Sequence, residues 1–334
     1  MVYVTGPIVY HKGNTIKRGN HAACSRNWRW TGRRVTKPMN QQGIRTILVV
    51  GAGSIGIGVA KSFAQAGFAT QVLSRNPARL GGVLEGVELL DRLPDAAPDL
   101  IIESIPELQE LKLELYASIE NAYRGAAILS SNTSSLPLAD LASQLRYPRQ
   151  FLGTHYLYPA DTSEFVEVIR TELTGDVAVE RVADALKRCG KTPVILNRPV
   201  IGALINRLQH AILHEAYYLI DQGIASAEQI DDIARRFLAP RMCITGLLQQ
   251  KDISGLDTHA LAQRSIVPHL CHDKTPSTIL QRLFEQGHLG LKTGKGFYDW
   301  SKADAATVRA DASRKVARII ALMRELEAES PGAK

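Results

Sequence analysis

The stretch Ile47–Arg75, ILVVGAGSIGIGVAKSFAQAGFATQVLSR, decides the fold. Four apolar residues, Ile47 to Val50, read as a short buried strand, and the turn Gly51-Ala52-Gly53-Ser54-Ile55-Gly56 follows at once. Val59, Phe63 and Ala66 then recur at helical spacing up to Gly67, a helix stop. Thr70 to Leu73 supplies a second strand. The order strand, glycine turn, helix, strand makes a βαβ unit, and its chemistry explains its glycines. Gly51 permits the tight turn, Gly53 lets a pyrophosphate approach the backbone, and Gly56 lets helix and strand pack closely. The helix N-terminus then offers free N–H groups and a partial positive charge to the phosphates. Gly51, Gly53, Ser54, Ile55 and Gly56 are therefore candidate dinucleotide contacts.

The end of the second strand bears on which dinucleotide binds. Sites for NAD commonly place Asp or Glu there, to accept hydrogen bonds from the ribose 2′-hydroxyl. Here the position is Ser74, followed by Arg75 and Asn76, with Arg79 one helical turn on, and no acid occurs anywhere before Glu85. A hydroxyl and a guanidinium suit a 2′-phosphate, so NADP is favoured over NAD, with Ser74 and Arg75 as contacts. The competing reading has Arg75 stacking on adenine or facing water.

Beyond this unit, strands and helices alternate to Leu196. Strands are expected over 99–103, 126–131, 151–155, 166–169 and 193–196, with helices over 108–121, 138–145 and 177–188. Such alternation implies a Rossmann-type, doubly wound, mostly parallel sheet. From Ile201 the pattern turns helical, and Ile205, Leu208, Ile212, Ala216 and Leu219 line one face of a long helix. Ser226 caps the next helix, and a last amphipathic helix runs from about Ala303 to Glu329. The expected organisation is a basic extension over 1–43, an α/β dinucleotide-binding domain over 44–198, and an all-α domain over 199–334 that carries substrate contacts and a homodimer face.

The charge balance excludes less than it suggests. Of a net +7, the first 38 residues contribute eight bases and no acid, so the remainder is close to neutral and nucleic-acid binding is not implied. Those 38 residues show no core-forming period or apolar h-region. They read as a disordered extension, or as translated sequence ahead of a start at Met39. No run approaches the ~20 apolar residues of a membrane span. Cys24, Cys189, Cys243 and Cys271 show no CxxC spacing, so the expectation is a reducing, cytoplasmic setting and no metal site.

Five further segments carry chemistry. They are Ser131-Asn-Thr-Ser-Ser-Leu136, Gly153-Thr-His155, Phe165-Val-Glu167-Val-Ile169, Gly202-Ala-Leu-Ile-Asn206-Arg207 and Lys292-Thr-Gly-Lys-Gly-Phe-Tyr298. With the glycine turn ahead of them, in this order and at this spacing, the chain resembles the 3-hydroxyacyl-CoA dehydrogenase family over about residues 46–300. The resemblance implies that His155 is the base taking the hydroxyl proton as hydride leaves carbon 3 for the nicotinamide. It implies that Glu167 pairs with His155, and that Ser134 and Asn206 bind the substrate oxygens. Glu107, Lys112, Ser134 and Lys292 match positions that contact the cofactor. Histidine is the side chain suited to this proton transfer near neutrality. A carboxylate beside an imidazole favours its charged form.

Each residue also has a plainer reading taken alone. Ser134 reads as a helix cap before Leu138, His155 as a structural histidine at a strand end, Glu167 as a core ion pair or a solvent-facing strand position, Asn206 as a polar interdomain residue and Lys292 as a solvated loop charge. Two departures from the family stand out. The family's long helical hairpin after the second strand, which contributes CoA contacts, has no room within Asn76–Pro98. The family's His-x-x-Asn-Pro is His155-Tyr-Leu-Tyr158-Pro159, a phenol in place of an amide. A dehydrogenase of free or carrier-bound 3-hydroxy acids is thus the alternative within the enzyme class. A non-catalytic, dinucleotide-responsive binding protein is the alternative outside it.

Overall fold

The computed structural model describes residues 43–82 and 84–329. The expectation for residues 1–38 lies outside them. The described chain forms two compact units, one up to Arg207 and one from Leu208 onward.

The first unit is built on one eight-stranded sheet. Its strands are β1 (Thr46–Val50), β2 (Ala69–Leu73), β3 (Val87–Leu90), β4 (Leu100–Glu103), β5 (Ile128–Ser131), β6 (Phe151–Tyr156), β7 (Phe165–Ile169) and β8 (Thr192–Leu196). Their spatial order is β3-β2-β1-β4-β5-β6-β7-β8. All neighbours are parallel except β6 and β7, which pair antiparallel. The chain reverses direction across the sheet between β1 and β4, and such a switch point leaves a crevice at the carboxyl ends of the strands. Four helices, α1 (Ser54–Gln65), α2 (Gln109–Tyr123), α3 (Leu138–Ser143) and α4 (Asp176–Arg188), cover the faces. One apolar layer joins Val49, Phe63, Ile102 and Val182; the other joins Leu48, Ile101, Tyr116 and Phe151. Burial on both faces is why these strands are continuous apolar runs rather than alternating ones.

One strand escapes the sequence pattern. Residues 76–98 are not a plain connection, because Val87–Leu90 adds β3 parallel to β2. Val87-Glu88-Leu89-Leu90 is short, half-buried and at the sheet edge, so its apolar signal is weak. A single 3-10 turn, Pro77–Leu80, stands between β2 and β3, and residues 91–99 reach β4 without a helix.

The second unit is all helical. It takes most of α5 (Ala203–Asp221), then α6 (Ala227–Ile233), α7 (Ala239–Thr245), α8 (Gln249–Ser254), α9 (Leu256–Ile266), α10 (Thr278–Glu285) and α11 (Ala305–Glu329). Ser226 caps α6 in a reciprocal box with Gln229, as its sequence position suggests. Among the described residues after Ala203 none is buried, although the helices carry many large apolar side chains. No described helix is long and apolar enough to cross a membrane.

Candidate active site

The glycine turn has the geometry of a phosphate cradle. Gly51 has φ 109°, and a Cβ there would lie 2.5 Å from the Ser104 carbonyl oxygen. A Cβ on Gly56 would fall 2.0 Å from the Gly51 carbonyl oxygen. At Gly53, by contrast, no atom lies within 4 Å of where a Cβ would stand. Gly53 is also the N-cap of α1 and supplies no capping side chain, so the first amides of α1 stay available to an anion. Two of the glycines are thus required by the protein's own packing, while the third keeps an approach open. A dinucleotide pyrophosphate fits that arrangement.

Ser74 follows β2 directly, and its amide donates to the Leu90 carbonyl at 3.0 Å. Its hydroxyl accepts from the Asn76 amide at 3.2 Å, and Arg75 is exposed beside it.

At the carboxyl ends of β4 and β5 lies a buried polar network. Glu103 accepts from Lys112 Nζ at 2.5 Å and from the Ile105 amide at 2.9 Å. Its other oxygen accepts from Tyr116 at 2.6 Å and Ser131 at 2.8 Å. Lys112 is fully buried and also pairs with Glu107 at 3.1 Å. Glu107 in turn accepts from the Ser134 and Ser135 amides at 2.9 and 3.0 Å and from the Thr133 hydroxyl. Burial by itself raises the Glu107 carboxyl, but Lys112 and the bonds from Thr133 and Ser135 outweigh it and hold its pKa below the ordinary value. Lys112 is therefore an internal counter-ion, and Glu107 is the clamp on the loop that carries Ser134. Ser134 does not cap α3, whose N-cap is Pro137.

His155 and Glu167 face each other in the β6–β7 register. His155 Nδ1 lies 2.6 Å from Glu167 Oε2, and both side chains are almost wholly buried. The second Glu167 oxygen accepts from the Leu204 and Ile205 amides at 2.6 and 3.1 Å. Gly202 and Ala203, with φ 82° and 47°, turn the chain so that the first amides of α5 reach it. Here too burial raises the carboxyl, while the bonds from His155, Ile205 and Leu204 prevail and lower its pKa. Glu167 is thus both the partner of His155 and the cap of α5, and Asn206 stands one residue beyond the capped amides. No sequence signal marks that second role, because the partners are 37 and 38 residues apart.

Two more residues escaped the sequence reading. Asn132 accepts from the Tyr156 amide at 2.9 Å and donates to Ser104 at 3.2 Å, tying the ends of β4, β5 and β6 together. Glu103 is the centre of the network just described. Ser134 lines an apolar cavity of about 120 Å³ with Leu136, Ile169, Val200 and Ile201. Lys292 belongs to the helical unit, exposed in the turn between Gly290 and Lys295.

This site has counterparts. The model of the 3-hydroxyacyl-CoA dehydrogenase NAD binding domain matches residues 83–199, and that of the family's C-terminal domain matches 202–300. A probable 3-hydroxybutyryl-CoA dehydrogenase of Deinococcus radiodurans is 34% identical over 278 residues, covering 75% of this chain and 99% of the relative. A 5-formyl-3-hydroxy-2-methylpyridine 4-carboxylate 5-dehydrogenase of Mesorhizobium japonicum is 26% identical over 85% of this chain and 99% of its own. A crystal structure of the enzyme of that name superposes with a TM-score of 0.78 at 25% identity, over 85% of this chain and 99% of the other. The (S)-3-hydroxybutyryl-CoA dehydrogenase structure from Ralstonia eutropha gives 0.62 at 26% identity, over 77% and 99%. With its dinucleotide cradle and paired His155 and Glu167, this chain belongs to the 3-hydroxyacyl-CoA dehydrogenase family and is a nicotinamide-dependent dehydrogenase of that type.

Proposed function

We propose that the protein oxidises the 3-hydroxyl of a 3-hydroxyacyl-CoA, and reduces the 3-keto form in reverse. The observation that carries the reading is the buried His155–Glu167 pair. The Nδ1 proton of His155 donates to Glu167, which leaves the Nε2 lone pair to accept a proton from substrate. Glu167 stabilises the imidazolium so formed. Ser134 and Asn206 hold the substrate oxygen as its charge changes. Gly51, Gly53, Ser54, Ile55 and Gly56 hold the dinucleotide, with Ser74 and Arg75 at its adenosine end. The nicotinamide, when bound, accepts the hydride.

Glu107 and Lys112 act on the cofactor side by fixing the Ser134 loop. The preferred cofactor is NADP, since Ser74 and the exposed Arg75 stand where an acid would repel a 2′-phosphate. The protein works as a homodimer in the cytoplasm. Support for the dimer comes from Leu204, Leu208 and Ile212 of α5, which are exposed in a single chain.

A second reading has a specific observation behind it. Among the described residues, neither the β2–β3 connection, with its 3-10 turn Pro77–Leu80, nor residues 91–99 between β3 and β4 form a helical hairpin, so the family's CoA-contacting arm has no counterpart there. A compact, free 3-hydroxy acid needs no such arm. The experiment is nicotinamide absorbance with acetoacetyl-CoA beside free acetoacetate, using both reduced cofactors. Faster turnover of the thioester supports the first reading; faster turnover of the free acid supports the second. Turnover of neither contradicts both.

A further inference from the structure

The last described helix, α11, carries an apolar stripe that no other described residues bury, and a basic-to-acidic order of charges. Ala312, Val316, Ile319, Met323 and Leu326 follow one another at spacings of four and three, the seam of a heptad repeat. Val316, Ile319 and Leu326 are exposed, as are Ile320 and Leu322 beside the seam. At ~1.5 Å per residue the helix is roughly 37 Å long. It begins beyond the segment that matches the family's C-terminal domain, which ends at residue 300. So large an apolar stripe in water calls for a cover.

The charges say what covers it. Up to residue 318 the helix holds Arg309, Arg314, Lys315 and Arg318 against Asp311, which pairs with Arg314 and Lys315. From residue 319 on it holds Glu325, Glu327 and Glu329 against Arg324. Asp304 caps the helix, its carboxylate accepting from the Thr307 amide at 2.7 Å, but no base stands in the last turn. Acids near the C-terminus oppose the helix dipole, which favours bases there. Local helix stability therefore does not account for the acidic end. A second copy of the same helix, laid antiparallel, does: each basic half then meets an acidic half. Placing Val316 opposite Leu326 of the partner subunit also brings Lys315 opposite Glu329 of the partner subunit. A two-fold axis relates the two contacts, so one surface serves both chains.

We propose that α11 is an interaction surface for a second copy of this chain, engaged as an antiparallel helix pair. The contact is distinct from the α5 face and from the catalytic residues.

The test uses the full chain with single cysteines introduced, Val316→Cys in one preparation and Leu326→Cys in another. After mixing and mild oxidation, peptide mass analysis should find a 316–326 disulfide between chains. Neither preparation alone should link to itself, because like positions then stand ten residues apart along the seam. Arg314→Glu, Lys315→Glu and Arg318→Glu together should suppress the link at low salt. Adding Glu325→Lys, Glu327→Lys and Glu329→Lys should restore it. Self-links within one preparation would mean a parallel pair. Self-links, absence of any link in helical protein, or a link indifferent to both charge reversals would overturn the proposal.

Discussion

His155 Nδ1 and Glu167 Oε2 are 2.6 Å apart across the β6–β7 ladder, and the same carboxylate holds the Leu204 and Ile205 amides at the start of α5. One side chain therefore sets the imidazole and the start of the helix that carries Asn206. Glu167→Gln keeps the shape but gives up the charge. It should lower kcat, by less than removal of His155 does, and should also reduce stability. Hydrogen bonds to a charged group contribute about 1.5–3 kcal/mol each, so a loss in that range is expected. Urea unfolding and turnover measured on one preparation check both. A variant impaired in turnover but with unchanged stability would show that the α5 contacts contribute nothing.

The three glycines of the turn should separate cleanly. A Cβ on Gly56 collides with the Gly51 carbonyl, so Gly56→Ala should destabilise the first unit and weaken dinucleotide binding together. Gly53 has open space and an ordinary negative φ, −74°, which alanine adopts readily. Gly53→Ala should keep or slightly raise the melting temperature, by up to ~1 kcal/mol of stability, while dinucleotide affinity falls. Thermal melts and dinucleotide titration distinguish the two. Unchanged affinity in Gly53→Ala would place the pyrophosphate elsewhere.

The difference between these glycines also shows how far the sequence could be read. The turn, the alternating strands and the pairing of His155 with Glu167 were legible because each rests on pattern: a glycine spacing, an apolar run, a motif order. The edge strand Val87–Leu90 was not, since it has four residues and only half-buried apolar positions. Nor was the second role of Glu167, or the burial of Lys112 against Glu103, because both depend on groups brought together only by the closed fold. Ser134 as a helix cap was a fair local reading, and the chain instead places Pro137 at that position.

Lys112 and Glu107 give a prediction in stability and one in pH. Lys112→Met leaves Glu103 buried without its counter-ion, which should cost about 3–5 kcal/mol. Glu107 and Glu167 both have pKa values lowered in the folded chain. Their contribution is thus fully present above the ordinary carboxylate value of 4.5 and is lost as pH falls through the lowered folded values. Glu107→Gln should be less stable than wild type at neutral pH, and the gap should close in acid. A gap independent of pH would mean that the Glu107 charge carries none of the stability.

The proposed preference for NADP rests on Ser74 and Arg75. Wild type should show the higher kcat/KM with NADP(H). Ser74→Asp with Arg75→Gln should move the preference toward NAD(H), because the new carboxylate repels a 2′-phosphate and accepts from a 2′-hydroxyl. The ratio of kcat/KM for the two cofactors, in both proteins, is the readout. A wild type that uses NAD(H) equally well, or a ratio untouched by the double change, would sink the assignment.

The most direct test of the whole account is turnover by His155→Ala, followed by nicotinamide absorbance on whichever of acetoacetyl-CoA and acetoacetate the wild type reduces. Dinucleotide affinity is titrated alongside. With His155 as the general acid–base, kcat should fall about 10²–10⁴-fold while dinucleotide affinity stays at the wild-type value. Near wild-type turnover in His155→Ala would contradict the account, and would mean that the substrate proton is handled by another group.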